Sequence, residues 1–303
     1  MKTGVKTDNL MHKTKKHDLH TGIHITFIIF AAFCVLPVLL LISTSFTSQE
    51  ELAAEGVRLL PGSLSLEAWR LVFKSPAMVL NAYKVSFFVT ITGTVLNLLI
   101  CALTAYPLSR RDYKYASQTS FFIYFTVLFS GGIVPFYILI TQLLGMKDNI
   151  WVMILPLLAS PWIIFLLRTF FGYIPKALFE SAKIDGAGEY RVFFSILLPL
   201  SAPSLATAGL MIALSYWNDW YHAMLFVEKP EVVPIQLMLQ RLTDYIDLLR
   251  NNQARGLAVS LGEIPSDGIV AATCLVAVGP MLCVFMFFQK YFISGITVGA
   301  VKE

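Results

Sequence analysis

The chain has 303 residues, of which 56% are hydrophobic and only 14% are charged. Soluble globular domains carry about 25% charged residues, so this composition indicates a membrane protein. The net charge of +4 is too small to favour a nucleic-acid partner. The four cysteines lie in apolar runs without metal or disulfide spacing, so we expect small side chains buried in the membrane and no metal site.

The N-terminal residues 1–22 are polar and basic, and an apolar run at 23–46 follows them. This run is longer than the ~7–15 residues of a cleavable signal core. It is long enough to cross about 30 Å of hydrocarbon. We predict a cytoplasmic tail at 1–22, a first transmembrane helix at 23–46 and an external loop at 47–83.

Five more apolar runs follow and predict an all-α protein with six transmembrane helices. They lie at about 85–108, 119–143, 150–171, 192–225 and 268–288. The interrupting residues are Gly131, Gly132 and Pro135, then Pro156 and Pro161, then Pro203. Broken helices are tolerated where neighbouring helices or a water-filled cavity satisfy the freed backbone groups. The pattern favours a moving, cavity-forming bundle over a simple anchor.

Basic residues in alternate short loops set the orientation. Two loops are basic, the first with Arg110, Arg111 and Lys114 and the third with Lys176, Lys183 and Arg191. The loop between them has only Lys147. We therefore predict that both termini and the stretch 172–191 are cytoplasmic. The loops 47–83 and about 222–267 then face outside. The segment 235–249 of the second loop is amphipathic, and it either meets a partner outside the membrane or caps the bundle.

The stretch 175–199 is a polar interruption between two apolar runs. Pro175 suits the first turn of a short helix, and Gly186 suits its end. The apolar positions of this predicted helix are Ala177, Leu178, Ala182 and Ile184. The helix, at about 175–190, is too polar to span a bilayer. It is a candidate docking element on the cytoplasmic side.

Motifs for independent energy coupling or catalysis are absent from the sequence. There is no Gly-rich phosphate loop followed by Lys and Ser/Thr, no zinc-protease pair and no nucleophile elbow. The spans carry no relay of carboxylates and no visible inverted repeat, which disfavours an ion-coupled carrier. A membrane enzyme is disfavoured for lack of an acid, base or metal constellation. Energy must come from elsewhere.

The same stretch carries a family signature. It reads Glu180-Ser181-Ala182, three residues, Gly186, nine residues, and Ile196-Leu197-Leu198-Pro199. This resembles the EAA motif of ABC importer permease subunits, with Ser181 in place of the usual alanine. Trp217-Asn218-Asp219 and the tail from Gln289 to Ala300 resemble the carbohydrate permeases of the MalG type, most of all the LplC/YtcP-like oligosaccharide branch.

The resemblance implies a type I ABC importer permease fold in the cell (cytoplasmic or inner) membrane, with a core at 84–290 and a cytoplasmic tail at 291–303. It implies a second homologous permease, two ATPase subunits and an extracytoplasmic solute-binding protein. ATP and Mg would be held by the ATPase subunits, so this chain would be no enzyme and hold no cofactor. The coupling residues carried over are Glu180, Ser181, Ala182, Asp185, Gly186, Ile196, Leu198 and Pro199.

The expected cargo is a carbohydrate, an oligosaccharide or polysaccharide fragment. Candidate residues of its path are Tyr137, Trp217, Asn218, Asp219 and Trp220. Aromatic rings can stack on sugars, and Asn and Asp can bond sugar hydroxyls. The alternative is an interface or packing role, since Trp and Tyr also collect at membrane surfaces. An ABC permease for another solute, such as a peptide or polyamine, also stays open.

Overall fold

The computed structural model describes the backbone of residues 4–254 and 267–300, with side chains at 22–249, 251 and 267–287. Over this part of the chain the regular structure is helical, apart from one isolated antiparallel bridge between Thr47 and Leu64. The predicted all-α class is confirmed.

The helices within the described ranges are α1 (Gly4–Ser45), α2 (Gln49–Glu55), α3 (Glu67–Val72), α4 (Pro76–Ser109), α5 (Ala116–Leu128), α6 (Ile133–Ile138), α7 (Pro161–Gly172), α8 (Lys176–Ile184), α9 (Glu189–Val192), α10 (Leu198–Leu200), α11 (Ala202–Trp217), α12 (Tyr221–Phe226), α13 (Ile235–Ala254) and α14 (Asp267–Ala300). Short 3-10 turns occupy Ile150–Met153, Leu155–Leu157 and Pro230–Val232, and π turns occupy Leu139–Leu143 and Phe193–Leu197.

Three helical segments are long and apolar enough to cross a bilayer. They are Gly22–Ser45 of α1, Pro76–Ser109 (α4) and Asp267–Phe287 of α14. Three bent pairs raise the possible number of spans to six. These pairs are Ala116–Leu128 with Ile133–Leu143, Ile150–Leu157 with Pro161–Gly172, and Glu189–Leu200 with Ala202–Phe226, bent by 105°, 49° and 83°.

Each bend falls where the sequence predicts an interruption. Gly132 has a φ of +85° just before α6, a left-handed conformation that favours glycine. Pro161 is among the first residues of α7, where Ser160 is the N-cap and accepts a bond from the backbone N–H of Ile163. Pro203 lies likewise in the first turn of α11. The predicted breaks are confirmed.

Several predicted boundaries differ from the observed helix ends. Helix α1 begins at Gly4, inside the predicted tail 1–22, and α4 begins at Pro76, inside the predicted loop 47–83. Helix α14 continues into the predicted tail 291–303 as far as Ala300. Residues 301–303, and the part of the predicted loop 222–267 that covers 255–266, lie outside the described residues.

The chain divides into two compact units, 1–74 with 258–275, and 75–257 with 276–303. Within the first unit, the segment after α1 is folded locally around Glu51. Its carboxylate accepts bonds from the backbone N–H groups of Gly62 and Ser63, each at 2.7 Å. These bonds and that of the Ser63 hydroxyl lower the pKa of Glu51. The rings of Phe46 and Trp69 stack at 5.6 Å.

The second unit is built around α4, which packs against α7 and α11. A stripe of buried residues recurs along α4 at a spacing of four, so it forms a continuous covered row that runs obliquely along the helix. Its members are Val85, Val89, Gly93, Asn97, Cys101 and Ala105. The small residues in this stripe let neighbouring helices approach closely.

Polar groups of the α4 stripe and of α11 satisfy carbonyl groups at the break before α7. The carbonyl of Leu157 would normally accept from residue 161, but proline there has no N–H. The side-chain amide of Asn97 donates to Leu157 instead. The hydroxyl of Tyr216 donates to the carbonyl of Ile154 at 3.1 Å. Side chains from two other helices therefore stabilise the bend.

Candidate functional site

Helix α8 carries the first part of the EAA-like signature. Its end has the hydrogen-bond pattern of a Schellman motif. Gly186 has a φ of +78°, and its N–H donates to the carbonyl of Lys183 at 3.1 Å. The N–H of Ala187 reaches back to the carbonyl of Ala182 at 2.9 Å. The sharp exit predicted at Gly186 is confirmed.

The two sides of α8 differ in burial. Phe179 and Ala182 are buried, at 5% and 7% exposure, and pack into the core of the second unit. The four apolar positions predicted for this helix do not share one side. Ala182 shares the buried side with Phe179, whereas Leu178 and Ile184 are 41% and 86% exposed. Helix α8 therefore has an uncovered surface that carries Leu178 and Ile184, with the exposed polar residues Ser181 and Asp185 between them.

The polar signature residues lie beside this uncovered surface. Glu180 is exposed, and within the described part of the chain its carboxylate makes no hydrogen bond or ion pair. The hydroxyl of Ser181 donates to the carbonyl of Leu178 at 3.1 Å. Asp185 is exposed at the C-cap of α8. Glu180 is thus available to a basic group from outside the chain.

The second half of the signature lies where α9 passes into the fifth predicted span. Ile196 and Leu198 are partly buried and pack against the core, while Pro199 is exposed. The deepest residues here are Phe193 and Leu197, at 1% and 0% exposure. The signature positions therefore flank the residues that anchor this segment.

Charged groups surround the C-terminal end of α8. The Lys183 ammonium lies 2.7 Å from a carboxylate oxygen of Glu189 and 3.4 Å from one of Asp112. Asp112 in turn accepts two bonds from the Arg110 guanidinium, at 2.9 and 3.0 Å. We call Arg110, Asp112, Lys183 and Glu189, with the Tyr106 hydroxyl that donates to Glu189, the charge network.

The electrostatics of this network keep its groups charged. The bonds from Arg110 hold the pKa of the Asp112 carboxyl well below its usual range. The bond to Glu189 raises the pKa of the Lys183 ammonium. The Arg110 guanidinium also lies 5.0 Å from the ring centroid of Phe179 and 5.8 Å from that of Tyr106. Cations favour such positions over aromatic faces.

Sequence reasoning used Arg110 and Lys183 only to orient the membrane topology, and it missed Tyr106, Asp112 and Glu189. A lone acid in the basic loop 110–114 was the available signal for Asp112. Nothing in the local spacing joins that loop to α8, because the contact spans about seventy residues of chain.

The candidate path residues fall into two groups, the tryptophans at 217 and 220 and the remaining residues around α12. Trp217 is 3% exposed, and its indole N–H donates to the carbonyl of Ala277 at 3.0 Å. Its ring also meets the edge of Phe87. Trp217 therefore packs α11 against α4 and α14. Trp220, by contrast, is 37% exposed.

The other group lies around α12. The Asp219 carboxylate hydrogen-bonds Nδ1 of His222 at 3.0 Å, and the rings of His222 and Phe136 form a T-shaped pair. Tyr137 stacks on Phe226, with centroids 5.6 Å apart. The exposed Asn218 accepts a bond from Gln236 at 3.4 Å. Sequence reasoning missed His222, which is the direct partner of Asp219.

Comparison with known proteins gives concordant matches. A family model described as "Binding-protein-dependent transport system inner membrane component" matches residues 25–298. The chain is 36% identical to Protein LplC of Bacillus subtilis (strain 168), over 96% of this chain and 98% of that one. It is 37% identical to the polygalacturonan/rhamnogalacturonan transport system permease protein YtcP of the same organism, over 91% and 95%.

A solved structure agrees with these sequence matches. It is that of a bacterial ABC transporter involved in the import of the acidic polysaccharide alginate, at a TM-score of 0.77 and 27% identity. The match covers 92% of this chain and 98% of that chain. The chain has the fold of an ABC importer permease and belongs to the family of binding-protein-dependent transport system inner membrane components.

Proposed function

We propose that the chain is the permease subunit of an ATP-driven ABC importer that moves a carbohydrate, an oligosaccharide or polysaccharide fragment, across the cell membrane. The observation that carries the coupling role is the uncovered surface of α8, where the unpaired Glu180 lies one helical turn from exposed Ile184. It occurs within the segment that has the EAA spacing.

In this proposal α8 is the coupling helix and lies in a cleft of a cytoplasmic ATPase subunit. Leu178 and Ile184 meet apolar groups of the cleft, and Glu180 meets a basic group. Buried Phe179 and Ala182 fix the opposite side of α8 to the membrane bundle. Closure of the ATPase pair therefore displaces α8 and, with it, the bundle. ATP and Mg are held by the ATPase subunits, so this chain catalyses no reaction.

The remaining assembly follows the same proposal. The chain spans the membrane six times with both termini and α8 in the cytoplasm, and pairs with a second, homologous permease. Two ATPase subunits and an extracytoplasmic solute-binding protein complete the importer. The bends at Gly132, Pro161 and Ser201 give the bundle the broken helices that a moving pathway uses.

The cargo is supported by the relatives and by the aromatic groups near α12. One relative is a polygalacturonan/rhamnogalacturonan permease, and the solved neighbour takes part in alginate import. We propose that Tyr137, Asp219 and Trp220 contact the sugar, with Asn218 beside them. Trp217 shapes the path by packing, because its side chain is buried.

Charge reversal at Glu180 tests the coupling role. In the reconstituted full complex, Glu180→Lys should weaken recovery of the ATPase subunit with the chain and reduce uptake at least about tenfold, equivalent to about 1.4 kcal/mol. Glu231→Lys is the matched control, since Glu231 is exposed and only its backbone carbonyl accepts a bond. Normal assembly and uptake by Glu180→Lys would remove the basis for the proposal.

Uptake competition tests the cargo class. Cells that carry the importer are given labelled oligogalacturonides, and unlabelled neutral oligosaccharides, peptides or polyamines are added as competitors. We expect only carbohydrates to compete. Uptake of labelled peptides or polyamines in parallel assays, with no uptake of the labelled carbohydrate, would transfer the proposal to an importer of that solute. Uptake that continues without any ATPase subunit would indicate an ion-coupled carrier instead.

A further inference from the structure

The charge network joins α8 to α9, which follows it in the chain, and to the end of α4, which lies far from it in sequence. Arg110 follows directly after α4, and Glu189 is the first residue of α9. Lys183 lies on α8 and bonds carboxylates from both sides. The Tyr106 hydroxyl then links Glu189 back to α4. The network therefore closes a loop of contacts between α4, α8 and α9.

The apolar contacts on the buried side of α8 are too few to fix its orientation without the charge network. Only Phe179 and Ala182 are buried on this nine-residue helix. Apolar contacts are non-directional and do not by themselves fix the rotation of a short helix. The two parallel bonds between Arg110 and Asp112 have a fixed geometry, and Arg110 lies over the ring of Phe179. The bonds therefore hold Asp112 in place, and its ion pair with Lys183, together with the contact of Arg110 with Phe179, ties α8 to the end of α4.

The helices that pack against α4 are those to which α4 would transmit a displacement of α8. Tyr106 lies on α4 directly after the buried stripe that runs from Val85 to Ala105. That helix packs against α7 and α11, which belong to two of the bent spans. A cavity of about 460 Å³ adjoins the network and is lined in part by Tyr106, Arg110 and Glu189. It leaves these side chains room to adjust when α8 moves.

We propose that Arg110, Asp112 and Lys183 are positioning residues that fix α8 to the end of α4 and transmit its displacement to the bundle. The proposal rests on the proposed function, in which α8 is the helix that the ATPase subunit moves. The loop 110–115 is then a second part of the coupling apparatus, beside the EAA-like segment. It acts through α8 and need not touch the ATPase.

The test uses the full importer in proteoliposomes and measures solute uptake and ATP hydrolysis together. Asp112→Asn removes the charge shared by Arg110 and Lys183. We expect the complex to assemble but the ATP hydrolysed per solute moved to rise up to about fivefold, the upper end of what an exposed ion pair contributes. Lys183→Gln should raise the ratio in the same way. Asp112→Glu and Lys183→Arg should restore most of it.

Arg111→Gln is the matched control. Arg111 is the exposed neighbour of Arg110, and within the described residues it makes no hydrogen bond or ion pair. The change removes one positive charge from the same loop. It therefore separates the effect of the loop's total charge from the effect of the charge network. We expect its ATP-to-solute ratio to match that of the wild type.

A distance measurement reports the positioning role directly. Spin labels at Lys114→Cys and Lys176→Cys, in a chain whose four native cysteines are replaced by serine, report the position of α8 relative to the loop. Asp112→Asn should broaden this distance distribution, and Arg111→Gln should leave it narrow. The pair lies outside the buried contacts, so the labels do not replace network residues.

Two results overturn the inference. One is an unchanged ATP-to-solute ratio in either Asp112→Asn or Lys183→Gln. The other is a distance distribution that Asp112→Asn leaves as narrow as in the wild type. If Glu180→Lys still abolishes uptake in that experiment, the proposed function stands and only the positioning role falls. If Glu180→Lys also transports normally, the proposed function falls as well.

Discussion

The backbone N–H of Ala187 donates to the carbonyl oxygen of Ala182 at 2.9 Å, across the end of α8. The bond requires the chain to reverse at Gly186, whose φ is +78°. An added Cβ at Gly186 would meet no atom within 4 Å. The requirement for glycine here is therefore conformational and does not arise from crowding.

Gly186→Ala should displace the exit of α8. Left-handed backbone costs a non-glycine residue about 1–2 kcal/mol, so the Schellman bonds should weaken and uptake should fall. Gly186→Asn should lose less, because asparagine tolerates this region. Uptake and ATPase co-purification measure both variants.

Gly188→Ala provides the control for that change. Gly188 lies two residues further on, has a φ of −70° and also has nothing within 4 Å of an added Cβ. We expect wild-type uptake. Equal losses at the two glycines would show that general stiffening of the loop, and not the left-handed turn, determines activity.

Gly93→Ala should disturb the contact between α4 and α11. A Cβ there would lie 2.6 Å from the ring of Tyr216. The ring must shift, and its bond to the carbonyl of Ile154 is lost. Overpacking of this kind costs about 1–3 kcal/mol, so the purified protein should unfold at a lower temperature. Gly209→Ala, whose Cβ meets Leu98 at an ordinary 3.6 Å, should be nearly neutral.

Asn97→Leu should destabilise the bend before α7. It removes the amide that donates to the carbonyl of Leu157, and that carbonyl has no N–H partner at Pro161. An unsatisfied buried acceptor costs about 1–3 kcal/mol, which thermal unfolding in detergent can measure. Thr90→Val on the same helix is the control, because the buried Thr90 hydroxyl has no partner in the described structure. Equal stability of the two variants would argue against the role of Asn97.

Asp148 should make stability depend on pH. Its carboxylate accepts the backbone N–H groups of Glu228 and Lys229, at 2.5 and 2.9 Å, which lowers its pKa. A lowered folded-state pKa contributes stability above the ordinary carboxyl range, and this is lost as pH falls through the lowered value. The difference in melting temperature between wild type and Asp148→Asn should therefore be present at neutral pH and vanish in acid.

Asparagine is the right replacement there, because Asp148 has a φ of +56°, a conformation that Asn also adopts. Asp247→Asn is the control, since Asp247 is exposed on α13 and makes no bond within the described residues. Its difference from wild type should not change with pH. A constant difference for Asp148→Asn would contradict the role of the carboxylate.

The helical class, the bends and the exit of α8 were predictable because each depends on local chemistry. Proline lacks an N–H wherever it occurs, and glycine tolerates a left-handed turn wherever one is needed. The helix starts were less predictable. Polar residues before Ile23 and the segment after Pro76 are helical, although hydropathy alone marks only the apolar parts.

The surroundings of α8 were not predictable from local pattern. Both sides of the helix carry apolar residues, so spacing alone could not show that Phe179 is buried and Ile184 exposed. The pairing of Lys183 with Asp112, and the fit of Tyr216 against Gly93, join segments far apart in sequence. Only the folded arrangement of α4, α8 and α11 brings them together.

The uncovered surface of α8, together with Tyr190 on the neighbouring α9, also affects how this protein accumulates in the cell. A copy without its ATPase partner leaves Leu178, Ile184 and Tyr190 exposed, the last two at 86% and 80%. Exposed apolar surface invites aggregation and recognition by quality-control proteases. We expect unpartnered copies to be short-lived, so the supply of the ATPase subunit sets how much permease accumulates. Pulse-chase labelling with and without the ATPase subunit measures that dependence.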